Sequence, residues 1–226
     1  MRAGKGQIAE LILVNGHHQV RISCPAELIP SPGQYLLAGI ASSSDPLPVS
    51  LFSTESTPEG FTASAPIPKT WTPGIEISLF GPFGRGFGLP LTARRVALVP
   101  FEDLHSRLLG LIPPALKQGA AIVLVSDSDG ESLHDDVEIQ PFSMLDEILA
   151  WADYAAFDVE RENLHGLRER LGSGRQVSVK GEAQVLIHAP APCGGVAECG
   201  VCAVTLKSGW KLACKDGPVF DLREVL

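Results

Sequence analysis

Four cysteines near the end of the chain constrain its fold more than any other feature. They read Cys193-Gly-Gly-Val-Ala-Glu-Cys199-Gly-Val-Cys202, with Cys214 following after eleven residues. The fifth cysteine, Cys24, lies far upstream. Plant-type 2Fe–2S sites space their ligands as a cysteine, four residues, a second, two residues, a third, and a distant fourth. This chain keeps that order with five residues in the first gap. Four thiolates form a soft donor set that suits an iron–sulfur centre. Gly194, Gly195 and Gly200 allow the unusual backbone angles that a loop around a cluster requires, and their N–H groups can then turn toward sulfur.

Other sulfur chemistries fit less well. Structural zinc usually arrives as two short Cys-x-x-Cys knuckles, and here only Cys199 and Cys202 form one. The compact run of 4Fe–4S ferredoxins, closed by a proline, is absent. Disulfides need an oxidising compartment, and residues 1–7 carry no apolar core of a signal peptide. A cytoplasmic protein is therefore the expectation. Zinc, other clusters and free thiols stay behind 2Fe–2S as alternatives.

The 226 residues leave room for one large domain or two to three small ones, and 45% hydrophobic content is enough for an ordinary core. Apolar runs are strand-sized, so no membrane span is expected. A net charge of −8 speaks against nucleic acid as a partner. Residues 177–226 hold five basic and five acidic side chains, so the excess acid lies upstream.

Residues 1–92 read as β-rich. Ile8–Val14 is apolar, 19–23 alternates as a half-buried strand does, and Asn15-Gly16 between them is a hairpin signal. Proline and glycine then recur at strand spacing, which predicts a small antiparallel β-barrel or sandwich. From residue 93 strand and helix alternate: strands at 95–99, 120–126 and 154–157, helices at 102–117, 143–151 and 160–171. That alternation predicts a Rossmann-like α/β domain over 93–175. Residues 171–174 read as a linker, and strands at 176–179 and 184–187 lead into a cluster domain over 176–226. The whole is a multidomain β plus α/β chain.

Three motifs carry a family resemblance: Pro32-Gly33-Gln34-Tyr35, similar to a PGQF signature; Gly81-Pro82-Phe83-Gly84-Arg85-Gly86-Phe87, similar to GPLGxGF; and the cysteine tail closing on Cys214-Lys-Asp-Gly217-Pro-Val-Phe220. Together they resemble the electron-transfer subunits of type B dihydroorotate dehydrogenases, a branch of the ferredoxin reductase-like flavoproteins. The resemblance implies an FAD-binding barrel, a nicotinamide-binding α/β domain and a terminal 2Fe–2S domain. It also implies a catalytic partner subunit whose FMN oxidises dihydroorotate, a place in pyrimidine biosynthesis, and Cys193, Cys199, Cys202 and Cys214 as cluster ligands.

Two motifs depart from the family. Its Arg-x-Tyr-Ser/Thr flavin motif aligns with Leu47-Pro48-Val49-Ser50, which keeps only the Ser50 hydroxyl and lacks the cation that meets a pyrophosphate. Ser50 is thus the one flavin contact carried over, FAD is left open, and Lys69 is the nearest base in sequence. The glycine-rich nicotinamide turn is replaced by Val99-Pro100-Phe101-Glu102-Asp103, and a later Cys-Gly-Pro turn by Ala156-Phe157-Asp158. Carboxylates there repel a pyrophosphate, so NAD binding is not expected.

The remaining candidates have plainer expectations. Cys24 reads as a buried structural thiol. His17 and His18 read as loop residues, His105 as a helix start, and Glu131, Asp135 and Asp136 as a solvated acidic loop. His188, close to Cys193, is a Rieske-type candidate that four cysteines make superfluous. Trp210 is expected to pack beside the hairpin leading to Cys214. The functional expectation is an electron-relay subunit of an oxidoreductase complex. The alternative is a scaffold that has lost catalysis, acts in assembly, and keeps a metal only to hold its tail folded.

Overall fold

The computed structural model describes residues 2–14, 17–40, 48–64, 66–102, 106–127, 134–172 and 181–226. Six strands come first: β1 (Arg2–Val14), β2 (His17–Ser23), β3 (Tyr35–Gly39), β4 (Val49–Thr57), β5 (Gly60–Ser64) and β6 (Glu76–Phe83). They close an antiparallel barrel in the order β1-β2-β5-β4-β3-β6. Alternation sets the inside: Ile77 and Leu79 of β6 are buried while Glu76 before them and Phe80 after them face out. Ile8, Ile22, Leu36, Leu51 and Phe61 complete the barrel core. Val14 pairs with His17, in agreement with a β1–β2 hairpin, although Asn15-Gly16 lies outside the described residues. His17 and His18 belong to β2 rather than to a loop. Cys24 packs against the barrel core, and its burial pushes the thiol up to about 11.

The second layer is a six-stranded mixed sheet. In chain order it uses β7 (Arg95–Pro100), β8 (Ala121–Val125), β9 (Val137–Gln140), β10 (Tyr154–Glu160), β11 (Glu182–His188) and, beyond a two-stranded hairpin, β14 (Val219–Asp221). Their spatial order is β14-β11-β10-β7-β8-β9. All neighbours run parallel except β14, which pairs antiparallel to β11. Strand β10 is buried almost throughout, as a central parallel strand must be. The helices are α1 (Ile112–Lys117), α2 (Leu145–Trp151), α3 (Leu164–Gly172) and α4 (Leu222–Val225). The hairpin is β12 (Ala203–Leu206) with β13 (Gly209–Leu212).

Four sequence expectations change here. The helix expected from Glu102 begins only at Ile112, because Pro113 and Pro114 lack N–H donors and fit only a first turn. Strand β9 lies immediately after the acidic residues Asp135 and Asp136, where only a loop was expected. Strand β11, expected to sit with the cysteine tail, is part of the parallel sheet instead, and β14 from the tail extends that same sheet. The linker expected from Leu171 is helix through Gly172, and the strand expected at 176–179 lies outside the described residues.

Candidate functional site

The three motifs that are remote in sequence converge in space. Phe87 N–H donates to the Pro32 carbonyl at 2.8 Å, and Gln34 Nε2 donates to the Gly84 carbonyl at 3.0 Å. Arg85 N–H donates to the Gly217 carbonyl at 2.6 Å. Gly84 takes φ 75°, and a Cβ there would stand 2.4 Å from Pro218 Cδ and 2.5 Å from the Gly217 oxygen. Only glycine permits that conformation and that approach together. The barrel's end is thereby fastened to the cysteine tail. Arg168 of α3 ties the other side, donating to the carbonyls of Thr205 at 2.6 Å and Val225 at 2.9 Å.

Within this junction the four cysteines form two close pairs. Cys202 Sγ lies 3.0 Å from Cys214 Sγ, and Cys199 Sγ lies 3.5 Å from Cys193 Sγ. Cys202 and Cys214 are buried, Cys193 is half-buried and Cys199 is exposed. Gly194 and Gly195, at φ 59° and 73°, bend the first loop against the barrel, and a Cβ on Gly194 would stand 2.4 Å from Leu37 of β3. A Cβ on Gly195 would be only 3.9 Å from Cys214 Sγ, so the two pairs are neighbours. Among the described residues no group of three or more His, Cys, Asp and Glu side chains is placed to hold a single metal ion. Backbone hydrogen bonding, at Ala197 above all, holds the Cys193 thiol down at about 7, while burial pushes Cys214 up to about 12.

Tyr35 of β3 stands between the thiols and a cleft. It is 4% exposed, its ring is tilted against Phe52 at 5.7 Å and Phe83 at 5.5 Å, and its hydroxyl is buried without a hydrogen-bond partner. Burial pushes its phenol well above the ordinary range, and the thiols of Cys214, Cys202 and Cys193 add to the shift. Tyr35, Ser50 and Cys214 line one small pocket. Beside it opens a larger cleft of about 480 Å³ between β4 and the segment after β11, lined by Ser50, Phe52, Ser106, Arg107, His188 and prolines. Its lining is mostly apolar with a few polar groups, the usual make-up of a site for an organic cofactor. Ser50 lines both cavities, and Lys69 is exposed.

Behind the cleft lies the switch point of the sheet. From β7 the chain runs outward to β8 and β9 and then returns to β10 on the other side of β7, the arrangement that opens a crevice at the carboxyl ends of strands. Charged side chains fill it. Arg107 Nε donates to both oxygens of Asp158 at 2.8 and 2.9 Å, and Nη1 donates to Glu160 Oε1 at 2.7 Å. His188 Nδ1 lies 2.7 Å from Glu160 Oε2, which places His188 in this network and not among the sulfurs. Glu102 Oε1 accepts from Glu160 N–H at 3.1 Å and from Asn163 Nδ2 at 2.9 Å. Burial pushes Asp158 up to about 6 with Arg107 opposing, whereas His188 and Arg107 outweigh burial at Glu160 and hold it down at about 2.

Sequence reasoning missed Arg107, which sat in a stretch read as ordinary helix. It also misplaced Trp210, which is 68% exposed. That residue pairs across the hairpin with exposed Thr205, while Val204 and Leu206 turn inward. Val196 and Val201 of the cysteine loops are likewise large apolar side chains exposed in the tail. His105 and Glu131 lie outside the described residues.

A closed antiparallel barrel, a mixed α/β sheet and a cysteine tail laid against both define a ferredoxin reductase-like protein with an appended sulfur site. Comparison with solved structures agrees at the level of fold. The structure of an NADH-dependent reduced ferredoxin–NADP oxidoreductase, solved for insight into flavin-based electron bifurcation, superposes with TM-score 0.72 at 15% identity, covering 97% of this chain and 88% of that one. The ferredoxin–NADP⁺ reductase of Plasmodium falciparum gives TM-score 0.60 at 12% identity, covering 83% and 97%. Residues 193–226 match the iron–sulfur cluster binding domain of dihydroorotate dehydrogenase B. Over 178 residues the chain is 30% identical to the dihydroorotate dehydrogenase B (NAD⁺) electron transfer subunit of Clostridium perfringens, covering 70% of this chain and 69% of that one. The chain belongs to the family of dihydroorotate dehydrogenase B electron transfer subunits.

Proposed function

We propose that this chain relays single electrons between a flavin of its own and a dihydroorotate dehydrogenase-type catalytic subunit, through a 2Fe–2S cluster held by Cys193, Cys199, Cys202 and Cys214. The observation that carries it is the pairing of the four thiols, 193 with 199 and 202 with 214, within the stretch that matches the iron–sulfur family. Two neighbouring pairs suit a centre with two irons, each taking two thiolates, better than one tetrahedral zinc. A cluster held there supplies one-electron transfer and nothing else. The chain's residues supply its setting. Cys202 and Cys214 anchor it in the core, the glycine loop lays backbone against it, and Phe83 and Tyr35 screen its inner side from water.

The cleft beside Ser50 takes the FAD ring. Ser50 offers a hydroxyl, Phe52 an aromatic wall, and the small pocket shared with Cys214 keeps the flavin and cluster positions close. Electrons leave by a route other than bound NAD. Glu102, Asp158 and Glu160 surround a single Arg107 at the switch point, so a pyrophosphate would meet excess negative charge where the fold usually offers bare backbone N–H groups. The exposed Val196, Val201 and Trp210 form the face that meets the catalytic subunit, an apolar and aromatic surface of the kind that anchors interfaces. A scaffold role without catalysis is not favoured, since it gives no reason for a cleft that shares a wall with the thiols.

The test is an absorption spectrum with iron, sulfide and flavin analysis of anaerobically purified protein, followed by co-expression with the catalytic chain. A brown, dithionite-bleached sample that also releases FAD is the expected result. A colourless sample containing zinc refutes the relay.

A further inference from the structure

We infer that the Tyr35 hydroxyl donates a hydrogen bond to a sulfur of the cysteine-bound centre and thereby raises its reduction potential. The inference rests on the cluster reading given above. Tyr35 is held in one place by its neighbours, between Phe52 at 5.7 Å and Phe83 at 5.5 Å, so its hydroxyl has little freedom to find another partner. That hydroxyl is buried and without a hydrogen-bond partner among the described residues. An orphan buried donor is costly, and the large majority of buried polar groups in folded proteins find a partner. The small pocket that Tyr35 shares with Cys214 also holds Ser50 and His188, but His188 Nδ1 is already engaged by Glu160. Sulfur is the remaining acceptor type beside the ring, because Cys214 lines the same small pocket and lies 3.0 Å from Cys202. The other tyrosine of the chain shows the contrast: Tyr154 donates to Gln184 Oε1 at 2.7 Å.

A donor aimed at sulfur stabilises the reduced, more negative centre over the oxidised one and so moves the potential upward. Tyr35 is thus a positioning residue for the centre's electrostatics, acting through a hydrogen bond rather than as a ligand. Removing only the hydroxyl keeps the ring in its stack, so packing and potential can be separated.

The experiment is a redox titration of the full-length, cluster-loaded protein followed by electron paramagnetic resonance, comparing wild type with Tyr35→Phe. The expected result is unchanged iron and sulfide content with the potential shifted downward by about a tenfold change in the reduction equilibrium, 59 mV for a one-electron couple. An unchanged potential in a loaded variant overturns the inference and leaves the cluster reading standing. Absence of iron from the wild type overturns the cluster reading itself. Should Tyr35→Phe lose its centre, 3-fluorotyrosine is incorporated into the otherwise native chain, making the phenol a stronger donor. A potential that then rises supports the hydrogen bond, and one that stays fixed overturns it.

Discussion

The cysteine junction and the sheet's switch point lie on either side of one cleft and are built in opposite ways. At the junction the donors are left open. Four thiols stand in two pairs, and a buried hydroxyl beside them has no partner. At the switch point the charges close on one another: Arg107 with Asp158 and Glu160, Glu160 with His188, leaving only Glu102 Oε2 and Arg107 Nη2 unmatched there. Soft thiols grouped in pairs are the donor type that suits an iron–sulfur centre. Carboxylates gathered in the crevice disfavour a further anion there. The difference teaches that a shared fold keeps or loses each of its sites separately, according to the side chains aimed into it.

The contrast breaks most directly at sulfur. Cys214→Ser or Cys202→Ser should remove nearly all bound iron, read by elemental analysis, whereas Cys24→Ser should leave iron content unchanged. Equal iron in all three variants would mean that the pairs do not ligate. Next in size is the charge network. Arg107→Ala leaves the fully buried Asp158 unpaired and Glu160 with His188 alone, and should cost about 3–5 kcal/mol in urea unfolding. Pairing it with Asp158→Asn should restore much of that loss, and strict additivity would show that the two side chains do not interact.

A smaller effect sharpens the docking face. Trp210→Ala should leave unfolding free energy within about 0.5 kcal/mol of wild type, because the ring is exposed. It should weaken binding to the catalytic subunit by roughly tenfold or more, measured by calorimetry. Unchanged affinity would move the interface elsewhere. The smallest effect is in pH. The folded-state pKa of Asp158 is raised to about 6, so the folded chain takes its proton first and this group adds stability as pH falls from 7.5 to 5. Relative to Asp158→Asn, the gain should be about 1 kcal/mol. Arg107, Glu102, Glu160 and His188 all face the group and moderate the amount. Glu160, held down at about 2, acts oppositely, and its contribution is lost as pH falls from 4.5 to about 2.

Much of the junction was legible in the sequence because its chemistry is local. Cysteine spacing names a soft-metal site, and glycines beside the ligands mark where backbone must bend. The barrel was legible because turn residues punctuate its strands at regular intervals. Arg107 was not, since a lone arginine in a run such as 106–117 looks like helix surface, and only the return of β10 beside β7 brings Asp158 and Glu160 to it. Asp158 showed only that a glycine turn was lost; that it is buried and paired depends on pairings between strands far apart in sequence. That β11 pairs with β10 was not legible for the same reason, because parallel pairing leaves no local signature. Tyr35 read as a variant of an aromatic position, and its unpartnered hydroxyl becomes visible only once Phe52, Phe83 and Cys214 surround it.

The most direct measurement is iron and acid-labile sulfide per chain in anaerobically purified protein, joined to its low-temperature paramagnetic resonance spectrum after dithionite reduction. Iron and sulfide in equal amounts, two of each per chain, with a signal that appears only on reduction, is the result expected of a 2Fe–2S centre. One zinc per chain, with no iron and no signal, would contradict it.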